Sequence, residues 1–273
     1  MSDNQFLKFA CGAPGDAPTA RTPPPRQRKR PRASSDDDDA AADPPKGVPA
    51  RLGDGHPLRC IVVGHNPSAE AWRQGHYYAH KSNRMWPILK ETGIAPPHIR
   101  GAVDDELMPA DAGVGFVDVG TGHPGTDSRK FDVRDFAAWS GVFYGRLRDH
   151  AAAAQAWMER ERGCACGRCG APCVVAFSGK RQFVELYNAT RPPGTKQLNG
   201  ATVPLGENLS RSLLPGGWPL TSDTEVWVMT STSGASALGN EARITPWRKL
   251  AARLDEQPWP RVARCKDGAR AAE

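Results

Sequence analysis

One stretch of the chain indicates its architecture: Ile61-Val62-Val63-Gly64-His65-Asn66-Pro67-Ser68. A short apolar run ends there in a Gly-X-Asn-Pro turn, a pattern typical of a buried strand that stops at the edge of a sheet. In open α/β folds, ligands bind at the carboxyl ends of the strands. We therefore expect the side-chain amide of Asn66 to carry function.

Segments with strand and helix patterns alternate along the rest of the chain. Short apolar runs predict strands over residues 58–63, 113–119, 174–177 and 225–229. Helical spacing of apolar residues predicts helices over residues 82–92, 135–162 (one helix or two) and 244–254, with Pro246 near the first turn of the last. This alternation predicts an α/β three-layer sandwich, with a mostly parallel central sheet of about four to five strands flanked by helices.

The two ends of the chain differ in composition from its middle. Residues 1–55 are rich in Pro, Ala and charged residues and poor in large apolar side chains, so they cannot bury enough surface to offset the entropy of ordering. We expect a disordered tail over 1–55, a folded domain over 56–258 and a short basic tail over 259–273. A Cys-rich insertion is expected at 163–173, before the third strand.

The charge of the chain favours a polyanionic partner. The formal net charge is +6, and a compact basic run lies at Pro23-Pro24-Pro25-Arg26-Gln27-Arg28-Lys29-Arg30-Pro31-Arg32. This run fits a nuclear import signal or a non-specific DNA arm, and we favour import over a plain solvated tail because the prolines keep the cluster exposed. We expect a nuclear protein. The absence of any run of 18 apolar residues predicts no membrane segment.

Four of the seven cysteines lie within ten residues, at Cys164, Cys166, Cys169 and Cys173. Thiolates at such spacings, with glycines that permit tight turns, can hold a structural Zn²⁺ ion. Buried reduced cysteines and a redox-sensitive loop are the alternative interpretations. The spacing alone leaves these three possibilities open.

A set of ordered motifs accompanies the first strand. They are Gly64-His65-Asn66-Pro67-Ser68, Gly75-His76-Tyr77-Tyr78 with Asn83-Arg84-Met85-Trp86, Gly113-Val114-Gly115-Phe116-Val117-Asp118, Val174-Val175-Ala176-Phe177-Ser178-Gly179-Lys180, and Val226-Trp227-Val228-Met229-Thr230-Ser231-Thr232-Ser233-Gly234-Ala235-Ser236. Together they resemble the mismatch-specific uracil/thymine DNA glycosylases, a family of the uracil-DNA glycosylase superfamily. The resemblance spans roughly residues 58–254. An unrelated α/β domain, in which Asn-Pro merely starts a turn, is the alternative that the order of the motifs disfavours.

The resemblance implies an activity and a partner. It implies a monofunctional, monomeric glycosylase that hydrolyses the N-glycosidic bond of mispaired uracil or thymine (G·U, G·T) in double-stranded DNA and so starts base-excision repair. No cofactor or catalytic metal is implied. Asn66 would position the attacking water, and turnover would be modest because a neutral amide is a weak general base. The faster uracil-specific relatives have Asp at the place of Asn66 and His at the place of Ser231.

The resemblance also assigns roles around the flipped base. Tyr78 stands where the family stacks the base, and Ala71 stands where the family contacts the base near its C5 position. A small residue there is expected to admit the thymine methyl group. Further substrate contacts are implied at the remaining matched positions, Gly64, His65, Asn83 and Ser231.

The second motif differs from the family pattern at the residue that fills the gap left by the flipped base. Ala235 stands where the family often has Leu or Arg, and Leu238 is the nearby residue that is able to replace it. The expected wedge and backbone contacts are Ser233, Gly234, Ala235, Ser236 and Leu238. This departure supports one alternative, a catalytically weak DNA-binding or partner-docking protein. A second alternative, a uracil or deaminated-base glycosylase that rejects thymine, depends on whether Ala71 admits the methyl group.

Overall fold

Four parallel strands form one sheet in the computed structural model, which describes residues 47–263 and residue 265. The strands are β1 (Cys60–Gly64), β2 (Val114–Asp118), β3 (Val174–Phe177) and β4 (Glu225–Val228). Their order across the sheet is β2-β1-β3-β4, and each pairing is parallel. The predicted parallel sheet is therefore confirmed.

Helices connect the strands and cover both faces of the sheet. They are α1 (Ala69–Gln74), α2 (Met85–Glu91), α3 (Met108–Ala112), α4 (Val133–Arg162), α5 (Lys180–Thr190) and α6 (Asn240–Asp255). Single 3₁₀ turns lie at Ala102–Asp104, Ser128–Lys130, Gly200–Thr202 and Arg211–Leu213. Within the described part of the chain, no helix is long and apolar enough to cross a membrane.

Two separate cores lie on opposite faces of the sheet. Alternate strand residues such as Val62 and Val63 point to opposite faces, as the two-residue period of a strand requires. One core includes Trp86, Leu89, Met108 and Trp247 from α2, α3 and α6, and the other includes Phe136, Phe143, Leu147 and Phe183 from α4 and α5. Burial on both faces explains why the strands are continuous apolar runs, and it confirms the predicted three-layer sandwich.

The segment predicted as 135–162 is a single helix of 30 residues, α4. Its start is fixed by a capping box, in which Asp132 accepts a hydrogen bond from the Arg134 backbone N–H and Asp135 accepts one from that of Asp132 (2.7 Å each). Its end is fixed by Gly163, whose φ of 62° is left-handed. A further helix, α6, begins at Asn240, before the predicted start at residue 244, so Pro246 lies inside the helix and not near its first turn as predicted.

The predicted amino-terminal boundary of the domain at residue 56 is wrong. Val48 is 3% exposed, and the backbone of Arg51 exchanges two hydrogen bonds with Phe116 (2.8 and 2.9 Å) along the free edge of β2. The guanidinium of Arg51 also pairs with the buried carboxylate of Asp105 at 3.0 Å. Composition missed this segment because backbone hydrogen bonds and one ion pair hold it. The import run and the rest of the predicted tail, residues 1–46, lie outside the described residues.

The predicted carboxyl-terminal boundary at residue 258 is also wrong. An ideal Cβ on Gly113 would lie 2.4 Å from the Trp259 ring, which therefore packs against the backbone that leads into β2. Arg261 is 3% exposed, and its guanidinium donates to Leu58 O (3.0 Å) and Ala171 O (2.6 Å). The basic character of this segment suggested a solvated tail, but one arginine of it caps backbone carbonyls at the amino edge of the sheet.

The cysteines of the insertion divide into two groups, which corrects the predicted set. Cys173 is 3% exposed and packs with Cys60 in the core beneath the sheet. Cys164, Cys166 and Cys169 form a separate cluster with Cys265, the last residue that the structure describes. Cys173 comes directly before β3, and the direction of that strand carries its side chain into the core.

We expect Gly115→Ala to lower the free energy of unfolding by about 1–3 kcal/mol, because overpacking a full core carries that cost. The added Cβ would lie 2.7 Å from Arg51 O and 2.7 Å from Leu58 Cδ1. Gly141→Ala in α4 is the matched control: its Cβ meets nothing within 4 Å, so stability should rise by about 0.5–1 kcal/mol. Urea unfolding followed by circular dichroism measures both. Unchanged stability of Gly115→Ala would contradict the packing of Arg51 on β2.

Candidate active site

A cavity of about 350 Å³ opens where the four strands end. One polar residue at or after each strand lines it: Asn66 after β1, Asp118 at the end of β2, Ser178 after β3 and Ser231 after β4. The lining also contains the other predicted residues His65, Ala71, Tyr78, Asn83, Ser233, Gly234 and Ala235. The structure thus brings most of the predicted site residues together at the carboxyl edge of the sheet.

Asn66 joins the turn after β1 to the loop after β2. Its Nδ2 donates to His123 O (2.9 Å), to Gly125 O (3.0 Å) and, less closely, to Pro67 O (3.2 Å). Its Oδ1 lies 2.8 Å from His65 Nδ1. Because an amide oxygen has two lone pairs, Oδ1 can accept one further hydrogen bond at the cavity. The same side chain therefore fixes the loop and offers an acceptor to a water molecule.

His65 is a positioning residue for Asn66. Its ring packs edge-on against Phe136, with centroids 4.9 Å apart and planes at 81°. Burial lowers the pKa of His65 to about 4, so the ring is neutral at pH 7. In the tautomer with hydrogen on Nδ1, the ring donates to Asn66 Oδ1 and orients the carboxamide.

Gly64 leaves room for two polar groups at the floor of the site. An ideal Cβ at this position would lie 1.9 Å from Asp118 Oδ1 and 3.0 Å from the Tyr78 hydroxyl oxygen. A residue with a side chain would displace the carboxyl group. Gly64 is thus required by the close approach of its neighbours, although it is not itself in the cavity lining.

Asp118 is a site residue that the sequence reasoning missed. It is 4% exposed, and burial raises the pKa of its carboxyl to about 7, an effect that the charge of Arg146 partly offsets. Near neutral pH the protonated form can donate a hydrogen bond, and the ionised form only accepts. The available signal was its place at the end of the second apolar run, which is the same criterion that selected Asn66.

Tyr78 presents a half-buried ring to the cavity on a strained backbone. Among the residues that the structure describes, it is the one non-glycine with a positive φ (55°). Its position is held by a hydrogen bond from the backbone N–H of Tyr77 to Asp105 (2.7 Å) and by one from its own hydroxyl to Ser178 Oγ (3.1 Å). Such strain persists only where the surroundings impose it, and it is concentrated at functional sites.

The loop that follows β4 packs against the segment before α2. The backbone N–H of Arg84 donates to Thr232 O (2.8 Å), and a Cβ on Gly234 would lie 2.5 Å from Ser82 O. Gly234 is therefore needed for the two loops to meet. Ser236 and Leu238 lie outside the cavity lining, and Leu238 is an exposed apolar side chain (41%).

Ser68 of the first motif and the predicted residues Ala71 and Asn83 also lie at the site. Ser68 caps α1 by accepting a hydrogen bond from the Ala71 backbone N–H (3.1 Å), which explains why serine is suitable at this place. Ala71 itself is buried and lines the cavity. Asn83 accepts from the Met85 backbone N–H (2.9 Å) at the start of α2.

The fold and the cavity define the class of this protein: a doubly covered α/β domain with a ligand site at the carboxyl edge of its parallel sheet. A model of the Uracil DNA glycosylase superfamily matches residues 51–254, and the chain belongs to this superfamily. The membership indicates a DNA glycosylase, a hydrolase that acts on uracil in DNA in the course of DNA repair. The match begins at Arg51, in the segment that the structure adds to the predicted domain.

We expect Asp118→Asn to change the pH dependence of stability. Between about pH 4 and 7 the unfolded chain releases the Asp118 proton whereas the folded chain retains it, so wild-type stability falls with rising pH. The difference in free energy of unfolding between the variant and the wild type should therefore increase with pH, by up to about 1.4 kcal/mol per pH unit. Above pH 7 this difference should become constant. Urea unfolding of both proteins from pH 4 to 8 measures this difference. A difference that does not vary with pH would contradict the protonated carboxyl.

Proposed function

We propose that this protein is a monofunctional glycosylase that excises mispaired uracil and thymine (G·U, G·T) from duplex DNA and leaves an abasic site. The observation that carries the proposal is the convergence of Asn66, Tyr78 and Ala71 on one cavity at the end of β1. An amide that holds water, an aromatic ring that stacks a base and a small residue that admits a methyl group are the parts that this reaction needs.

The target base must leave the DNA stack to reach this cavity. Flipping a base costs a few kcal/mol and is cheapest at a mismatch, which favours G·U and G·T pairs as substrates. The ring of Tyr78, held by its hydroxyl on Ser178, offers a platform for the flipped pyrimidine. The rigid placement of this ring supports a stacking role because little of its freedom remains to be lost on binding.

Cleavage of the glycosidic bond develops positive charge on the sugar and negative charge on the leaving base. We assign the orientation of the attacking water to Asn66 Oδ1, and a hydrogen bond to the leaving base to the protonated Asp118 carboxyl. Both groups act by position and electrostatics and not as strong bases, so a modest rate is expected. The uracil-specific alternative shares this chemistry and differs only in the methyl contact.

The product is expected to be an abasic site without strand cleavage. Lyase activity requires a free amine that forms a Schiff base with the sugar. Lys180 lies in the cavity lining, but its ammonium group donates to Gly200 O at 2.8 Å. This engagement supports monofunctional hydrolysis.

Contacts with DNA are proposed along the rim of the cavity. Lys81 and Arg84 are exposed beside the loop that follows β4, and cations at such positions neutralise phosphates. We propose that Leu238, exposed beyond the small Ala235, enters the gap left by the flipped base. From the basic run at residues 23–32 we propose that the protein acts in the nucleus. We also propose that it acts as a monomer, as the family resemblance implies.

Asn66→Ala should lower the single-turnover rate of excision on a G·U duplex at least about 100-fold, a typical loss when one preorganised polar group is removed. The assay compares G·U, G·T and A·U duplexes, with alkali to reveal abasic sites. Asn188→Ala is the matched control, since it removes a carboxamide that bridges backbone groups of Leu198 away from the cavity (2.8 and 3.2 Å). The control should retain wild-type excision and fold.

Two results would contradict the role of Asn66 or the glycosylase activity. If Asn66→Ala excises uracil as fast as the wild type while both bind the duplex equally, Asn66 does not position the water. If the wild type binds mismatched duplexes but excises no base, the DNA-binding alternative replaces the glycosylase.

Ala71→Val should impair thymine excision more than uracil excision, by about 10-fold or more, because the added methyl groups occupy the space for the thymine C5 methyl. The ratio of G·T to G·U rates on one protein preparation is independent of the fraction that is folded. An unchanged ratio would show that Ala71 does not contact the C5 methyl group of thymine. Failure of the wild type to excise thymine would establish the uracil-specific alternative.

A further inference from the structure

Four cysteines from two distant parts of the chain meet at one point. Cys164, Cys166 and Cys169 lie in the loop between α4 and β3, and Cys265 comes from the end of the described chain. All four sulfur atoms lie within 4.8 Å of one another. Cys164 Sγ is 3.4 Å from Cys166 Sγ and 3.1 Å from Cys265 Sγ, so the contact joins residues 101 positions apart in sequence.

These distances fit one tetrahedral ion held by four sulfurs. Zinc–sulfur bonds of about 2.3 Å in a tetrahedron place the sulfur atoms about 3.8 Å apart, within the range observed here. The pairs are too far apart for disulfide bonds, in which the sulfurs are about 2.05 Å apart. The four thiolates of an iron–sulfur cluster are divided among two or four iron atoms, so as a set they are more widely spaced than the ligands of one ion.

The local backbone is also shaped for a metal. Cys166-Gly167-Arg168-Cys169 is a Cys-X-X-Cys turn, and Gly167 supplies the left-handed φ of 71° that it needs. The backbone N–H groups of Arg168 and Cys169 both donate to Cys166 Sγ (3.4 and 3.3 Å). Such hydrogen bonds stabilise a thiolate and orient it, as the outer-shell partners of metal ligands do.

We propose that Cys164, Cys166, Cys169 and Cys265 bind one Zn²⁺ ion as a structural tetrathiolate site. Four protein ligands leave no open position for water or substrate, which defines a structural and not a catalytic site. Binding displaces the thiol protons and forms four Zn–S bonds, with no oxidant or reductant involved.

The position of the cluster in the fold indicates that the ion would stabilise the domain. The cluster shares no residue with the cavity lining and precedes β3, at the amino edge of the sheet, near the Arg261 bonds to Leu58 O and Ala171 O. The ion would link the segment that carries Cys265 to the α4–β3 loop. Closing a loop of this length removes much freedom from the unfolded chain, so loss of zinc should lower stability and spare the site.

Metal analysis of the full chain, purified without chelators, tests the proposal. We expect one zinc per chain in the wild type. Cys265→Ser should lose zinc, with an affinity at least about 10-fold weaker, whereas Cys173→Ser should keep one zinc because Cys173 lies in the other core. A wild type that holds no metal or holds iron overturns the proposal. Zinc retained in Cys265→Ser but lost in Cys173→Ser would restore the set predicted from sequence.

A second measurement keeps the test valid if Cys265→Ser does not fold. Titration of metal-free wild type with Co²⁺ should give the absorption of a tetrahedral thiolate complex, saturating at one equivalent and reversed by Zn²⁺. Thermal unfolding should then shift to higher temperature as Zn²⁺ is added, by the linkage of binding to folding. Absence of both the absorption and the shift would overturn the site in the folded protein.

Discussion

The carboxamide of Asn66 is the junction on which the carboxyl edge of the sheet depends. It joins the turn after β1 to the loop after β2 through His123 O and Gly125 O, and neutral His65 holds its orientation. Without this side chain, the carbonyls of His123 and Gly125 would lose their donor, and the loop after β2 would lose its link to the turn after β1. The group that we propose to position water is therefore also the group that shapes the cavity, and fold and chemistry are coupled through one residue.

Close approach of main chain and side chains makes the rest of the site possible. Because Gly64 has no side chain, the Asp118 carboxyl and the Tyr78 hydroxyl can both approach its backbone. The absence of a side chain at Gly234 likewise lets the loop after β4 pack against the segment before α2. The fold tolerates a buried carboxyl and a tyrosine with positive φ here, although each is unfavourable. Strain and shifted ionisation at one cavity are typical of a functional site.

The carboxyl and amino edges of the sheet have different roles. The carboxyl edge is open and polar and presents the site, while the amino edge is closed by Arg261, Trp259 and the four-cysteine cluster. A zinc ion in that cluster would stabilise the edge that carries no chemistry.

The sequence by itself determined what depends on neighbours in the chain. The apolar run into Asn66, the alternation of strands and helices and the spacing to Tyr78 were sufficient for the parallel sheet and for the place of its cavity, because parallel strands end at a common edge. Asp118 was also within reach of this reasoning, had the end of the second strand been considered as the first was. Only the tertiary structure decided that Arg51 and Arg261 belong to the domain and that Cys265, and not Cys173, completes the cysteine cluster. Those contacts join distant segments through backbone carbonyls, a buried carboxylate and strand direction, none of which leaves a local pattern in the sequence.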